Sequence, residues 1–182
     1  MKTPLILITL ASVTLLIFSW GISSHADNDE SYESTHNDNL SAVKNDLYVA
    51  ECASCHMAYP PGLLPTRSWQ KMMTTLNKHF GEDASLDAAS VTELTRYLTD
   101  NSHTTARYTQ RMQRNLPADQ TPLRITELDY FKHHHAELPP RLHRDNPKVG
   151  SLSNCIACHS NAEKASFRER EINIPGYGRW DD

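Results

Sequence analysis

The chain of 182 residues has four cysteines, and all of them fall in two Cys-x-x-Cys-His frames, CASCH at 52–56 and CIACH at 155–159. Two thiols separated by two residues are spaced to add to the two vinyl groups of one haem. The histidine that follows then stands beneath the iron as an axial ligand. The frames therefore predict two covalently attached haem c groups, one on Cys52 and Cys55 with His56, the other on Cys155 and Cys158 with His159. Paired disulfides, a zinc site made from two Cys-x-x-Cys pairs, and a thioredoxin-like redox motif are the competing uses of such thiols. None of them requires a histidine directly after the second cysteine in both frames. The thioredoxin-like motif also needs a strand–helix context that this sequence lacks.

Each iron takes a second axial ligand or stays open, and that choice separates electron transfer from gas binding or catalysis. The candidates are His25, His36, His79, His103, the triplet His133-His134-His135, His143 and the methionines. Trp69, Met72, Met73, Leu76 and Phe80 recur at helical spacing, which predicts a helix over 67–80 stopped by Gly81. His79 falls seven residues after Met72 and three after Leu76, so it points into that apolar stripe, as an iron ligand or as a core histidine bonded to a carbonyl. In the run TELDYFKHHHAEL from Thr126, a second helix stopped by Pro139-Pro140, Leu128 and Phe131 mark the buried face. His135 lies on that face, His134 is second choice, and His133 points away. His103 reads as an exposed or capping residue. Met57 cannot reach across the haem plane from beside His56, Met72 and Met73 read as core, and Met112 is kept as an outside candidate.

The elements that must hold these residues are mostly helical. A short basic start, an apolar run from Leu5 to Ile22 and small residues at Ser24 and Ala26 predict a signal peptide at 1–26, with an uncleaved membrane anchor as the competing reading. Residues 27–46 are acidic and polar and read as a flexible tether, helical from Ser41. Residues 47–182 follow as the main domain, in halves 47–114 and 115–182, each with one thiol frame and one inward histidine. A further helix fits 88–99, with Ser90-Val91-Thr92-Glu93 available as a capping box. The segment 103–114 reads as weakly amphipathic helix, 115–125 as a connector, and no strand is expected. The Pro-rich run Tyr59–Pro65 either shields a haem face or serves as a turn-rich connector. Arg67, Arg168 and Arg170 are candidates to pair with propionates. Without its leader the chain has 17 basic and 22 acidic residues, a formal charge of −5. That balance argues against nucleic acid and favours a basic protein partner. The fold class expected is a small, mostly α c-type cytochrome whose helices and long loops pack around two covalently bound haems.

The stretches CASCHMAYPPGLLPTRSW at 52–69, HFGEDASLD at 79–87, RITELDYFKHHH at 124–135, CIACHSNAEKASF at 155–167 and EINIPG at 171–176 resemble the dihaem cytochrome c family of proteobacteria. The resemblance covers nearly the whole chain after the leader. It implies two low-spin haems with bis-histidine ligation, His56 and His159 proximal, His79 and His135 distal. Pairing each distal histidine with the nearer frame is the simplest arrangement, and a crossed one fits the sequence equally well. The resemblance further implies a periplasmic electron carrier rather than an enzyme. Its partner would be a ligand-binding monohaem cytochrome, such as the sphaeroides haem protein, or a membrane cytochrome b. The competing function, a haem enzyme or gas sensor, requires one open iron, and the chain has enough histidines to close both.

Overall fold

A computed structural model describes residues 40–103 and 106–180. The predicted leader, most of the tether, His25 and His36 lie outside the described residues. The folded body begins before the expected end of the tether. Leu40 is buried in the core, and Ala42, Val43 and Leu47 pack against it. These apolar residues interrupt an otherwise polar run and have somewhere to go. Residues 40–45 are not helical; α1 (Asp46–Cys52) starts where the Asn45 side chain accepts the Tyr48 N–H at 2.7 Å, capping one otherwise unpaired donor.

The helix expected over 67–80 is split. α2 (Thr66–Met73) ends where the Thr74 and Thr75 hydroxyls both donate to the Lys71 carbonyl, at 2.8 and 3.0 Å. Such side-chain bonds compete with the helical ladder. A 3-10 turn at Leu76–Lys78 follows, then a tight reversal in which His79 and Glu82 exchange backbone hydrogen bonds at 2.8 and 3.1 Å. Phe80 and Gly81 take positive φ values of 55° and 109° there. His79 therefore sits on a reverse turn, not on a helical stripe.

α3 (Ala88–Ser102) starts where the expected helix over 88–99 does and runs on to Ser102, but the Ser90 box is not its cap. Asp87 caps it, its carboxylate accepting from the Ala89 and Ser90 N–H groups. Leu94 and Leu98 on its inner face are among the most deeply buried side chains, and α3 packs on α2. A bond of 2.7 Å between the Thr66 and Ser102 hydroxyls closes the end of this pair. The Pro-rich run is no loose connector: residues 60–65 are all buried, and Trp69 Nε1 donates to the Pro61 carbonyl at 2.7 Å. Gly62 is required there, since a Cβ would stand 2.5 Å from Thr109 Oγ1.

α4 (Arg107–Met112) and α5 (Asp129–His134) are short. The helix expected to run to Pro139 stops at His135, whose backbone N–H and ring Nδ1 both turn to the Phe131 carbonyl. One small antiparallel hairpin was not expected: β1 (Asn173–Ile174) pairs with β2 (Gly178–Arg179) around Pro175-Gly176-Tyr177. With strands this short the fold is mostly α, as the sequence predicts. No helix among the described residues is long and apolar enough to cross a membrane.

Candidate functional site

The first frame closes α1. Cys52 is its last residue, half-buried, and Cys55 is exposed one turn later. His56 follows, and its Nδ1 lies 2.7 Å from the Met57 carbonyl, an acceptor for an Nδ1–H that leaves Nε2 on the other side of the ring for a metal. The reverse turn at 79–82 brings the His79 ring opposite, with centroids 6.1 Å apart and planes 28° from parallel.

The second frame is a 3-10 turn, Cys155–Ala157. Two backbone bonds pin it: the His159 N–H donates to the Cys155 carbonyl at 2.8 Å, and the Asn173 N–H donates to the Cys158 carbonyl at 2.9 Å. The terminal hairpin thus braces the frame from behind. Opposite stands His135, with ring centroids 6.3 Å apart and planes at 66°. Its Nδ1 lies 2.9 Å from the Phe131 carbonyl, again leaving Nε2 free, and its ring stacks on Phe131 at 3.9 Å.

These two separations have a chemical meaning. A metal–imidazole bond is about 2 Å long. With a bond on each side and half a ring at either end, two imidazoles on one ion have centroids roughly 6 Å apart. Both pairs meet this spacing, and each joins a frame to the distal candidate nearer in sequence. Of the triplet, His135 faces His159, while His133 and His134 are exposed. His103 is exposed at the end of α3, as expected, and Met112 is buried in the core cluster.

Beside the second pair lies a cavity of about 430 Å³ lined by Cys155, Cys158, His135 and His159 and walled by Leu63, Tyr108, Phe131, Phe167, Ile174 and others. A flat apolar group carrying an iron fits this lining. His159 Nδ1 is buried within it with no hydrogen-bond partner. Burial, and then the neighbouring His135, pull the His159 pKa down to about 4. His79 and His135 are also shifted down, chiefly by burial. All three are therefore neutral bases at neutral pH, the form in which imidazole binds a metal.

The thiols are consistent with attachment, each frame placing its histidine opposite a second imidazole. Burial pushes the Cys52 and Cys155 thiols up to about 11. They lack the low pKa that marks a redox-catalytic cysteine. Arg67 is engaged elsewhere, its guanidinium donating to the Gln120 and Pro117 carbonyls of the connector, and Arg168 lies 3.8 Å from Glu171.

Three aromatic neighbours flank the sites, the first of them opening the run read as a haem shield or a connector. Tyr59 stacks on His56 with centroids 4.9 Å apart. Phe80 meets the His79 ring edge-on at 4.8 Å, with the Arg124 guanidinium 3.9 Å above the phenyl centroid. Phe167 meets His159 edge-on at 5.4 Å. Only its place next to His79 in sequence could have pointed to Phe80.

The chain's likeness to known proteins agrees with this geometry. Residues 48–167 match the family model described as dihaem cytochrome c. A dihaem cytochrome c from Shewanella baltica OS155 is 44% identical with a TM-score of 0.63, covering 75% of this chain and 98% of its own. One from Rhodobacter sphaeroides is 47% identical with a TM-score of 0.63, covering 69% of this chain and 98% of its own. No curated protein sequence matches the chain.

Proposed function

We propose, from the premise that this chain belongs to the dihaem cytochrome c family, that it is an exported carrier of single electrons with both irons closed by histidine pairs. Membership itself implies two haem c groups and a haem-based electron carrier, with which the two cysteine frames are consistent. The pairs proposed are His56 with His79 and His135 with His159. The observation that carries this ligation is the recurrence of one imidazole spacing, 6.1 and 6.3 Å, at two differently built sites.

When bound, each haem supplies a one-electron iron couple whose potential follows its axial ligands, burial and hydrogen bonds. The chain does the rest. Cys52 and Cys55, and Cys155 and Cys158, hold the groups covalently. The Met57 and Phe131 carbonyls orient one imidazole of each pair by accepting from Nδ1. Two imidazoles per iron leave no position for a small substrate and favour a lower potential than a His/Met pair.

The basic start and apolar run of residues 1–26 would carry the chain out of the cytoplasm, as c-type haem attachment requires. In the periplasm the net charge of −5 that the chain carries without its leader, with its acidic excess in residues 27–38 and at Asp181-Asp182, would favour a basic redox protein, either a ligand-binding monohaem cytochrome or a membrane cytochrome b. An anaerobic potentiometric titration of the holo-protein tests the reading. Two haems per chain, each following a one-electron curve, with no catalytic consumption of peroxide, is the expected result. A haem that turns over peroxide would put a haem enzyme in its place.

A further inference from the structure

One side chain reaches from the first site to the frame of the second. Tyr59 lies three residues after His56, and its ring stacks on the His56 imidazole at 4.9 Å with planes 25° apart. Its hydroxyl donates to the Ser153 carbonyl at 2.7 Å, two residues before Cys155. Its backbone is held as well, since its carbonyl accepts from the Tyr48 hydroxyl at 3.0 Å, and Tyr48 is buried. The buried segment 60–65 begins at the next residue. Tyr59 is thus clamped at its backbone, its ring and its phenol oxygen.

We propose that Tyr59 is a positioning residue, a strut that fixes the imidazole of the first site relative to the segment carrying the second pair of thiols. The two frames are far apart in sequence and sit on separate short turns, one ending α1 and one braced by the terminal hairpin. Short helices and turns of this kind hold their relative placement through a few tertiary contacts, and a half-buried hydrogen bond of ordinary length is a directional one. A rigid aromatic ring with only two rotatable bonds transmits that placement at little cost in side-chain entropy. Electron exchange between two centres falls steeply with their separation, so a residue that fixes the separation also sets the exchange rate.

This inference rests on the proposed dihaem reading, and the test separates the two. The holo-protein is compared as wild type, Tyr59→Phe and Tyr48→Phe. Haem content and the low-spin absorption spectrum are recorded first, and electron exchange between the two haems is then followed after a one-electron pulse. Tyr59→Phe keeps the stack on His56 and removes only the bond to Ser153. It is expected to retain two low-spin haems while exchange slows several-fold. Tyr48→Phe removes the backbone clamp but keeps both the ring stack on His56 and the phenol bond to Ser153, and is expected to lower the melting temperature with exchange unchanged. Wild-type exchange in Tyr59→Phe, or equal slowing in both variants, would overturn the strut. A wild type without two low-spin haems would instead overturn the reading beneath it.

Discussion

At the first site the thiols finish an α-helix, the facing histidine comes later in the chain, and a reverse turn delivers it. At the second the order is inverted: His135 comes first, from the end of a short helix, and the thiols follow on a 3-10 turn braced by a hairpin. The surroundings differ too. Cys55 and Phe80 are exposed beside the first pair, whereas the second pair faces a cavity of about 430 Å³. Yet the imidazole spacings agree within a few tenths of an ångström. The group that each pair would hold dictates that one distance, and the backbone is free to reach it by unrelated routes. What the route changes is burial, ring orientation and the charges nearby, the features that make two chemically equal centres unequal.

The contrast predicts its largest effect on attachment. Replacing Cys155 and Cys158 together by alanine leaves the second cavity without its tethered occupant. The apolar walls of this partly open cavity are then left facing water, a loss that is large against the marginal stability of a domain. This variant is expected not to accumulate as folded protein. The corresponding Cys52→Ala/Cys55→Ala variant, opened at a more exposed site, is expected to fold with one covalent haem per chain. Pyridine haemochrome content and circular-dichroism melting check the pair, and equal damage in both would break the contrast.

Next in size is the opening of one iron. His79→Gly and His135→Gly are each expected to let carbon monoxide bind half of the reduced haem. His134→Ala, removing an exposed ring, is expected to bind none and to leave stability within about 0.5 kcal/mol of wild type. Carbon monoxide binding in His134→Ala but not in His135→Gly would reassign the triplet. Subtler is the ring orientation, 28° between planes at one site and 66° at the other. Near-parallel and crossed imidazoles split the iron d orbitals differently, so the ferric protein is expected to show two distinct low-spin paramagnetic resonance signals, and a single signal would contradict the asymmetry. The smallest effect concerns Arg124, poised over Phe80 beside His79. A nearby cation disfavours the more positive ferric state. Arg124→Gln should therefore lower one midpoint potential by tens of millivolts, on the order expected for a partly screened charge, and leave the other in place. A shift of both would place Arg124 between the sites.

The residues tied to covalent chemistry were the most legible ones. The Cys-x-x-Cys-His spacing is demanded by the haem and survives any backbone around it. His79 was reached by a route the chain does not use: the apolar stripe of Met72 and Leu76 continues past Met73, while the hydroxyls of Thr74 and Thr75 end the helix and a turn does the positioning. For α3 the periodicity located the helix and its inner face, but Asp87 takes the cap in place of the Ser90 box. Leu40 was hidden by its acidic neighbours, and the hairpin by strands too short to show alternation. Contacts such as Tyr59 with Ser153 join segments far apart in sequence, and no local pattern announces them.

The most direct test of closed irons is the absorption spectrum of the reduced wild-type holo-protein before and after carbon monoxide. Two haems per chain with sharp low-spin bands that carbon monoxide leaves unmoved is the predicted result. A shift in half of the haem would show an open or displaceable position, removing either His79 or His135 as a ligand and giving precedence to a haem enzyme or gas sensor.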